Sequence, residues 1–434
     1  MAEPYEPTGG ENFDLRDVLL RGRRVGFQER MGLLSDWWSG RINNRSIFVL
    51  RTATTMADRE IQIEDPYTGD LKPMLMFGSN NYLGLTSHPY VLERVKKAVD
   101  EYGAGVGGPP LLNGYTKLHQ ELEARLSALK DKEDTVIFQS GYGANVGALG
   151  SLPTRNDAIF YDLYSHASFI DGLQMTRAVS YKFAHNDVDE LARLLEAHGT
   201  RGSGDAFVGV EGVYSMDGDV APLDEITRLC KQHGAILLLD DAHGTGVMGP
   251  NGRGTPHHFG VERDVDVVMS TFSKAFGVVG GAISTSKPIA DYLRFCARSY
   301  MFSSSIPPAT VAAVLAGLDL LEREEGLVQR LWDNVDYTGR CLREIGFDIH
   351  PQTPIIPLLV PQTMHMRKAT YFFHQSGIFL NPVEYPAVPI DKQRFRISLM
   401  ATHTREDIDR LVDVVAEAWR RFAFALDPKA RTAA

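Results

Sequence analysis

"AFVGVEGVYSMDGDVAPLDEITRLCKQHGAILLLDDAH", residues 206–243, sets a helical segment, "LDEITRLCKQHG", between the apolar runs "FVGVEGV" and "AILLLDD". Runs this short and this apolar have no polar face to give to water. They are expected to be strands covered on both sides, and a helix joining two such strands implies parallel pairing. In such sheets ligands sit at the carboxyl ends of the strands, so the carboxylates at the end of "AILLLDD" mark a place to look for a site.

The same alternation extends in both directions. Upstream lie "TVIF" before "GYGANVGAL" and "AIFYD" before "HASFIDGL"; downstream lie "VDVVMS" and "GGAIS". Leu118, Leu122, Leu126 and Leu129 recur at spacings of four, four and three, one face of a helix. The predicted fold class is therefore α/β: a large domain with a mainly parallel sheet covered by helices, followed by a smaller α+β unit. In that unit a long helical stretch after Pro307 precedes strands at "TPIIPLLV" and "RFRISLM", and Thr404 with Asp407 is expected to cap a final helix. Ahead of the large domain, a loose tail over residues 1–12, a helix or two ending near Gly40 and strands about a "TGD" turn are expected. The resulting division is 1–75, 76–315 and 316–434.

Composition excludes several classes. The 434 residues carry 44% hydrophobic and 23% charged side chains with a net charge of -10, and the longest basic patch is Arg21 to Arg24. A nucleic-acid footprint needs basic clustering, so that patch reads as a solvated face and nucleic acid is not an expected partner. No apolar run reaches the ~20 residues of a membrane span. The start, "MAEPYEPTGGENFD", has no basic-then-apolar signal, and the expected location is cytoplasmic. Cys230, Cys296 and Cys341 lack metal spacing and are expected to be buried or partly buried fillers.

Three strand-end loops carry chemistry. In "LLLDDAHGTG", Asp240 and Asp241 point to opposite sides and His243 follows; a buried carboxylate is costly unless paired with a cation. Taken alone, Asp240 serves equally as a loop cap. In "FQSGYGANV", Gly141 and Tyr142 open a helix whose first amides can hold an anion, and the P-loop pattern is missing. In "MSTFSKAFGVVGGA", residues 269–282, Lys274 follows a buried strand among small residues, where loss of water favours the neutral, nucleophilic amine. A phosphate site at Gly141 and Tyr142, a carboxylate at Asp240 for a pyridinium nitrogen and a lysine for an aldehyde carbon match one cofactor, pyridoxal 5'-phosphate (PLP).

From about Met76 to its end the chain resembles the α-oxoamine synthases, PLP-dependent enzymes of fold type I. The matching stretches, in order, are "SNNYLGLTSHP", "NGYTKLHQELE", "SGYGAN", "SHASFIDG", "FAHNDVDEL", "VEGVYSMDGDVAPLDEI", "DDAHGTGVMGPNGRGT", "TFSKAFGVVGG", "FSSSIPP" and "RFRISLMATHT". The resemblance implies that His166 stacks on the cofactor ring, that Ser215 and His243 reach its phenolic oxygen, and that Thr271 joins the Gly141/Tyr142 turn in holding its phosphate. It implies that Ser303 and Ser304 approach the phosphate of a neighbouring subunit, making a homodimer with shared sites. Arg396 would bind the amino-acid carboxylate, Asn81 would lie near the same substrate, and Arg394 would be structural. The implied reaction is a condensation, decarboxylative in most of the family, of an amino acid with an acyl thioester of coenzyme A or an acyl-carrier protein, giving an α-amino ketone. Lys274 would serve both as cofactor anchor and as base. "DPYTGDLKPMLMFGSNNYLG" and "TFSKAFGVVGG" lean toward the serine palmitoyltransferase branch.

The pattern breaks at "GAGVGGPPLLNGYTKLH", where Val106 stands at a small-hydroxyl position and Pro109 and Pro110 occupy the place of an arginine region. That segment borders the acyl-donor region in the family. The alternatives are another fold-type-I activity, an aminotransferase or an aldol-type lyase, and a non-catalytic partner subunit; the presence of Lys274, Asp240, His166 and His243 weighs against the last.

Overall fold

The computed structural model describes residues 15–43, 49–199, 204–324, 326–360 and 366–422. The tail expected over residues 1–12 lies outside them. At the centre is a seven-stranded sheet whose strands lie side by side in the order Asp134–Phe138, Gly281–Thr285, Val267–Thr271, Ile236–Asp240, Ala206–Glu211, Ala158–Asp162 and Val179–Phe183. Only Gly281–Thr285 runs antiparallel to its neighbours. The strands of the opening stretch pair in parallel, Glu211 beside Asp240. Ala206–Glu211, Val267–Thr271 and Gly281–Thr285 are buried at every position, which is why they read as continuous apolar runs rather than alternating ones.

The helix expected from the leucine spacing spans Lys117–Lys130 and turns Leu122 and Leu126, both 0% exposed, toward the core. The first two helices are Leu15–Gly22 and Phe27–Asn43. Glu60–Glu64 and Leu71–Met76 pair antiparallel about the "TGD" turn, where Gly69 has φ 74°. Their sheet also takes in Ile378–Phe379. The long stretch after Pro307 is two helices, Pro308–Arg323 and Leu327–Glu344, interrupted at Gly326 (φ 86°).

Ile355–Leu359, Arg394–Ser398 and Asn381–Val383 form a separate antiparallel sheet. Within Arg394–Ser398, the period-two alternation sends Phe395 and Ile397 one way and Arg394 and Arg396 the other. Phe395 packs edge-to-face on Phe373 (centroids 4.9 Å) and Trp419 (6.4 Å), pairs worth about 0.5–1.5 kcal/mol each beyond area burial. That packing anchors the strand that presents Arg396. The last helix, Arg405–Arg421, begins with the expected cap: the Asp407 amide donates to Thr404 Oγ1 (3.2 Å) and the Thr404 amide to Asp407 Oδ2 (2.9 Å).

One expectation is corrected. Cys230 is buried and Cys341 half-buried, but Cys296, at the end of helix Lys287–Cys296, is exposed, because the helix turns its last residue away from the sheet. Among the described residues no helix is long and apolar enough to cross a membrane.

Candidate active site

Lys274 sits on the loop closing the antiparallel hairpin of Val267–Thr271 and Gly281–Thr285, with Thr271 opposite Gly281. The loop is fixed at both ends, by the Phe272 amide on the Gly280 carbonyl (2.9 Å) and the Val278 amide on the Phe272 carbonyl (2.9 Å). Burial pushes the Lys274 amine down to about 8, against the opposing pull of the Asp240 and Glu211 carboxyls.

Asp240 ends the neighbouring strand and is 5% exposed. Its Oδ2 accepts from Asn145 Nδ2 (2.7 Å) and its Oδ1 from the Ala242 amide (3.0 Å). Asn145 also donates to Ser168 Oγ (2.9 Å), which stands 2.8 Å from His166 Nδ1. The Ser168 amide points at the same ring nitrogen (3.2 Å), so Nδ1 is an acceptor and the neutral ring carries its proton on Nε2. Burial lowers the pKa of His166, although the residue as a whole is exposed.

Asp241 takes the opposite side, as alternation requires. It is 0% exposed and pairs with Lys130 (Nζ to Oδ2 2.8 Å), which also reaches Thr245 Oγ1 (2.7 Å) and the Arg253 carbonyl (2.8 Å). Thr255 donates its amide to Asp241 Oδ1 (3.1 Å) and its hydroxyl to the same oxygen. This network pins the turn that carries Asp240 and His243.

His243 is buried, and its Nδ1 lies 2.7 Å from Tyr82 Oη. Burial pushes Tyr82 up to about 12 and His243 well below its usual range. The phenol keeps its proton and donates it to Nδ1, which leaves Nε2–H as the group His243 can present to a ligand. Arg396, 6% exposed, donates from Nη2 to Asn80 Oδ1 (3.0 Å) and contacts Tyr82 Oη (3.5 Å), while its Nε has no partner among the described residues. Arg394 is structural: it binds Asp217 (2.7 Å) and the carbonyls of Met216 and Lys392.

Gly141 opens helix Gly141–Ser151, where Ser140 caps the Gly143 amide (2.9 Å) and the first amides lack intrahelical acceptors. A Cβ on Gly281 would stand 2.5 Å from the Gly141 nitrogen, and one on Gly141 would stand 2.9 Å from Thr271 Cβ. Both glycines are therefore needed for this helix start to meet the Thr271 strand end. Thr271 Oγ1 bonds Ser273 Oγ (3.0 Å) and the Gly280 carbonyl (3.2 Å). Tyr142 is exposed and bonds Asp171 through its hydroxyl.

Not every expected residue converges. Asn81 donates from Nδ2 to Thr86 Oγ1 (2.7 Å) and its Oδ1 accepts from the Leu85 amide (3.0 Å), and the asparagine on Arg396 is Asn80. Ser215 is half-buried in the turn closed by the Val213–Val220 bridge. Ser303 is half-buried and Ser304 exposed, beside Ser305, whose amide bonds the Gly108 carbonyl (3.1 Å) of the loop where the motif pattern breaks. Five residues at the site carry no role in the sequence reading: Tyr82, Asn80, Asn145, Ser168 and Glu211. Glu211 could have been found, because it ends an apolar run as Asp240 does.

The family model for aminotransferases of class I and II matches residues 72–415. The chain belongs to that family. It is 44% identical over 352 residues to a serine palmitoyltransferase of Bacteriovorax stolpii, covering 81% of this chain and 84% of the relative. It is 40% identical to an 8-amino-7-oxononanoate synthase of Fervidobacterium nodosum, covering 81% and 90%. A variant of the serine palmitoyltransferase of S. paucimobilis, solved with a bound PLP–myriocin aldimine, superposes with a TM-score of 0.83 at 30% identity, over 91% of this chain and 99% of that one. The fold is that of PLP enzymes of type I, and the chain is a PLP-dependent enzyme of the α-oxoamine synthase family. The residues fit that cofactor: a lowered lysine amine, a buried carboxylate bonded to no arginine or lysine among the described residues, and a helix start cradled by two glycines.

Proposed function

We propose that this chain joins a small amino acid to an acyl thioester at the cleft around Lys274, forming a carbon–carbon bond between the α-carbon and the acyl carbonyl carbon and releasing the thiol and carbon dioxide. PLP, when bound, supplies an aldehyde for the lysine and an electron sink for the amino acid. The observation that carries the reading is Lys274 itself, a lysine brought down to about 8 beside a buried aspartate.

Each side chain has a task in this reading. Lys274 holds the cofactor and, once displaced by substrate, takes the α-proton; an amine near 8 keeps an appreciable free-base fraction at neutral pH. Asp240, oriented by Asn145, would hold the ring nitrogen. His166 would cover the ring, and Nε2–H of His243, with Ser215, would bind the phenolic oxygen. The first amides of helix Gly141–Ser151 and the Thr271 hydroxyl would hold the phosphate. Arg396 would take the substrate carboxylate through its Nε, with Asn80 bonded to its Nη2, while Asn81 holds the adjoining turn.

In the same reading, residues 76–315 hold the cofactor, 316–434 bring Arg396 to it and 1–75 are an added segment. Two copies form the working unit, with Ser303 and Ser304 facing the partner's phosphate; exposed Phe302 (70%) and Leu112 (81%) near this segment support that surface.

The test is α-proton exchange in deuterated water across a panel of amino acids, followed by product mass with several thioesters. The reading expects exchange without thioester and a decarboxylated ketone with it. Conversion of the cofactor to its amine form by amino acid alone would instead establish a transaminase.

A further inference from the structure

Glu211 ends strand Ala206–Glu211 and faces Asp240 in register, so the two side chains leave the same side of the sheet on strands about 4.8 Å apart. Both are 5% exposed. Their hydrogen bonds are unequal. Asp240 has the Asn145 amide group at 2.7 Å and the Ala242 N–H at 3.0 Å. Glu211 lies by the backbone of His166, and its Oε1, buried, has no hydrogen-bond partner among the described residues. Two carboxylates this close do not both ionise cheaply, and the proton goes to the one whose charge is less well solvated. The charged and titratable groups around Glu211 are Asp240 and Asp162 from the adjoining strands, Lys274 from the hairpin loop, His166, and the phenol of Tyr214.

We propose that Glu211 is a positioning residue that carries a proton, so that the Glu211–Asp240 pair holds one negative charge, centred on Asp240, and Lys274 faces one carboxylate instead of two. The inference rests on the reading of this cleft as the active site. Burial and Asp240 both hold the Glu211 carboxyl well above the usual range, in line with the geometry. The neutral acid has a consequence for Lys274. A second carboxylate would stabilise the ammonium form and oppose the burial that frees the amine. A neutral acid keeps its place beside Asp240 without adding that charge.

The full chain, with and without bound PLP, is examined by infrared spectroscopy at neutral pH. Wild type is expected to show a protonated-carboxyl stretch that is lost in Glu211→Gln and that moves with glutamate-specific ¹³C labelling, not aspartate labelling. Labelling keeps the test valid if the variant does not fold. A missing band, or one that follows the aspartate label, overturns the proposal. As a second readout, the pH titration of the bound cofactor's visible absorbance should stay within about 0.3 units of wild type in Glu211→Gln, since the amide replaces a neutral group. A downward shift of about 1 unit or more, a difference of about 1.4 kcal/mol, would mean that Glu211 carries charge. Because the infrared readout does not need PLP, its failure is separable from a failure of the cofactor assignment.

Discussion

Replacing Lys130 with methionine removes the cation that lies under the active-site turn. Lys130 is 1% exposed and Asp241 0%, and the ammonium makes three bonds: to Asp241 (2.8 Å), Thr245 (2.7 Å) and the Arg253 carbonyl (2.8 Å). Methionine fills the space but leaves a carboxylate buried without a cation, a change that costs about 3–5 kcal/mol when one partner of a buried pair is lost. At about 2.1 cal/mol/K per residue over 434 residues, the unfolding entropy is about 0.9 kcal/mol/K. The melting temperature should therefore fall by about 3–6 °C, read by calorimetry at fixed cofactor and protein concentration. Thr245 and Thr255 anchor the same turn, so the variant should also bind PLP more weakly. A fall of less than about 1 °C would refute the reasoning, because it would mean that Asp241 finds another partner or carries no charge.

Arg396→Ala should lower kcat/KM for the amino acid by about 10–100-fold, the worth of about 1.5–3 kcal/mol for hydrogen bonds to a charged group, and leave KM for the thioester nearly unchanged. Equal effects on both substrates would remove Arg396 from the carboxylate site. His185 offers a pH test of stability. Burial opposes its charge, but Asp162 (3.0 Å) and Asp219 (2.7 Å) outweigh burial and raise it to about 9. Because the folded value lies above the unfolded ~6.5, the contribution of up to about 3 kcal/mol is complete below pH ~6.5 and is lost as pH rises through about 9. Wild type should lose more thermal stability than His185→Gln over that window, and parallel losses would contradict the assignment.

What the sequence made legible follows from local pattern. Strands buried on both faces must be short and apolar, so the central sheet could be read from 206–243 outward. Lys274 and Asp240 stood out because polar groups end such runs. The Thr404 cap was legible because its partner lies three residues away. What stayed hidden depends on contacts between distant positions. Tyr82 bonds a histidine 161 residues on, and Asn145 an aspartate 95 residues on, and nothing in either local stretch signals the pairing. Asn80 and Asn81 are neighbours of the same type, and only the fold shows that one meets Arg396 while the other closes a turn. The exposure of Cys296 is not legible either, because residue type alone does not reveal which way the last turn of a helix faces.

The central claim is that Lys274 is the lysine joined to PLP. Borohydride reduction of the purified, PLP-loaded enzyme followed by peptide mass analysis tests it most directly. The account predicts a pyridoxyl-phosphate mass on the peptide containing residues 269–282 at Lys274, absent from Lys274→Ala. Modification at another lysine, or a reduced adduct that persists in Lys274→Ala, would contradict it.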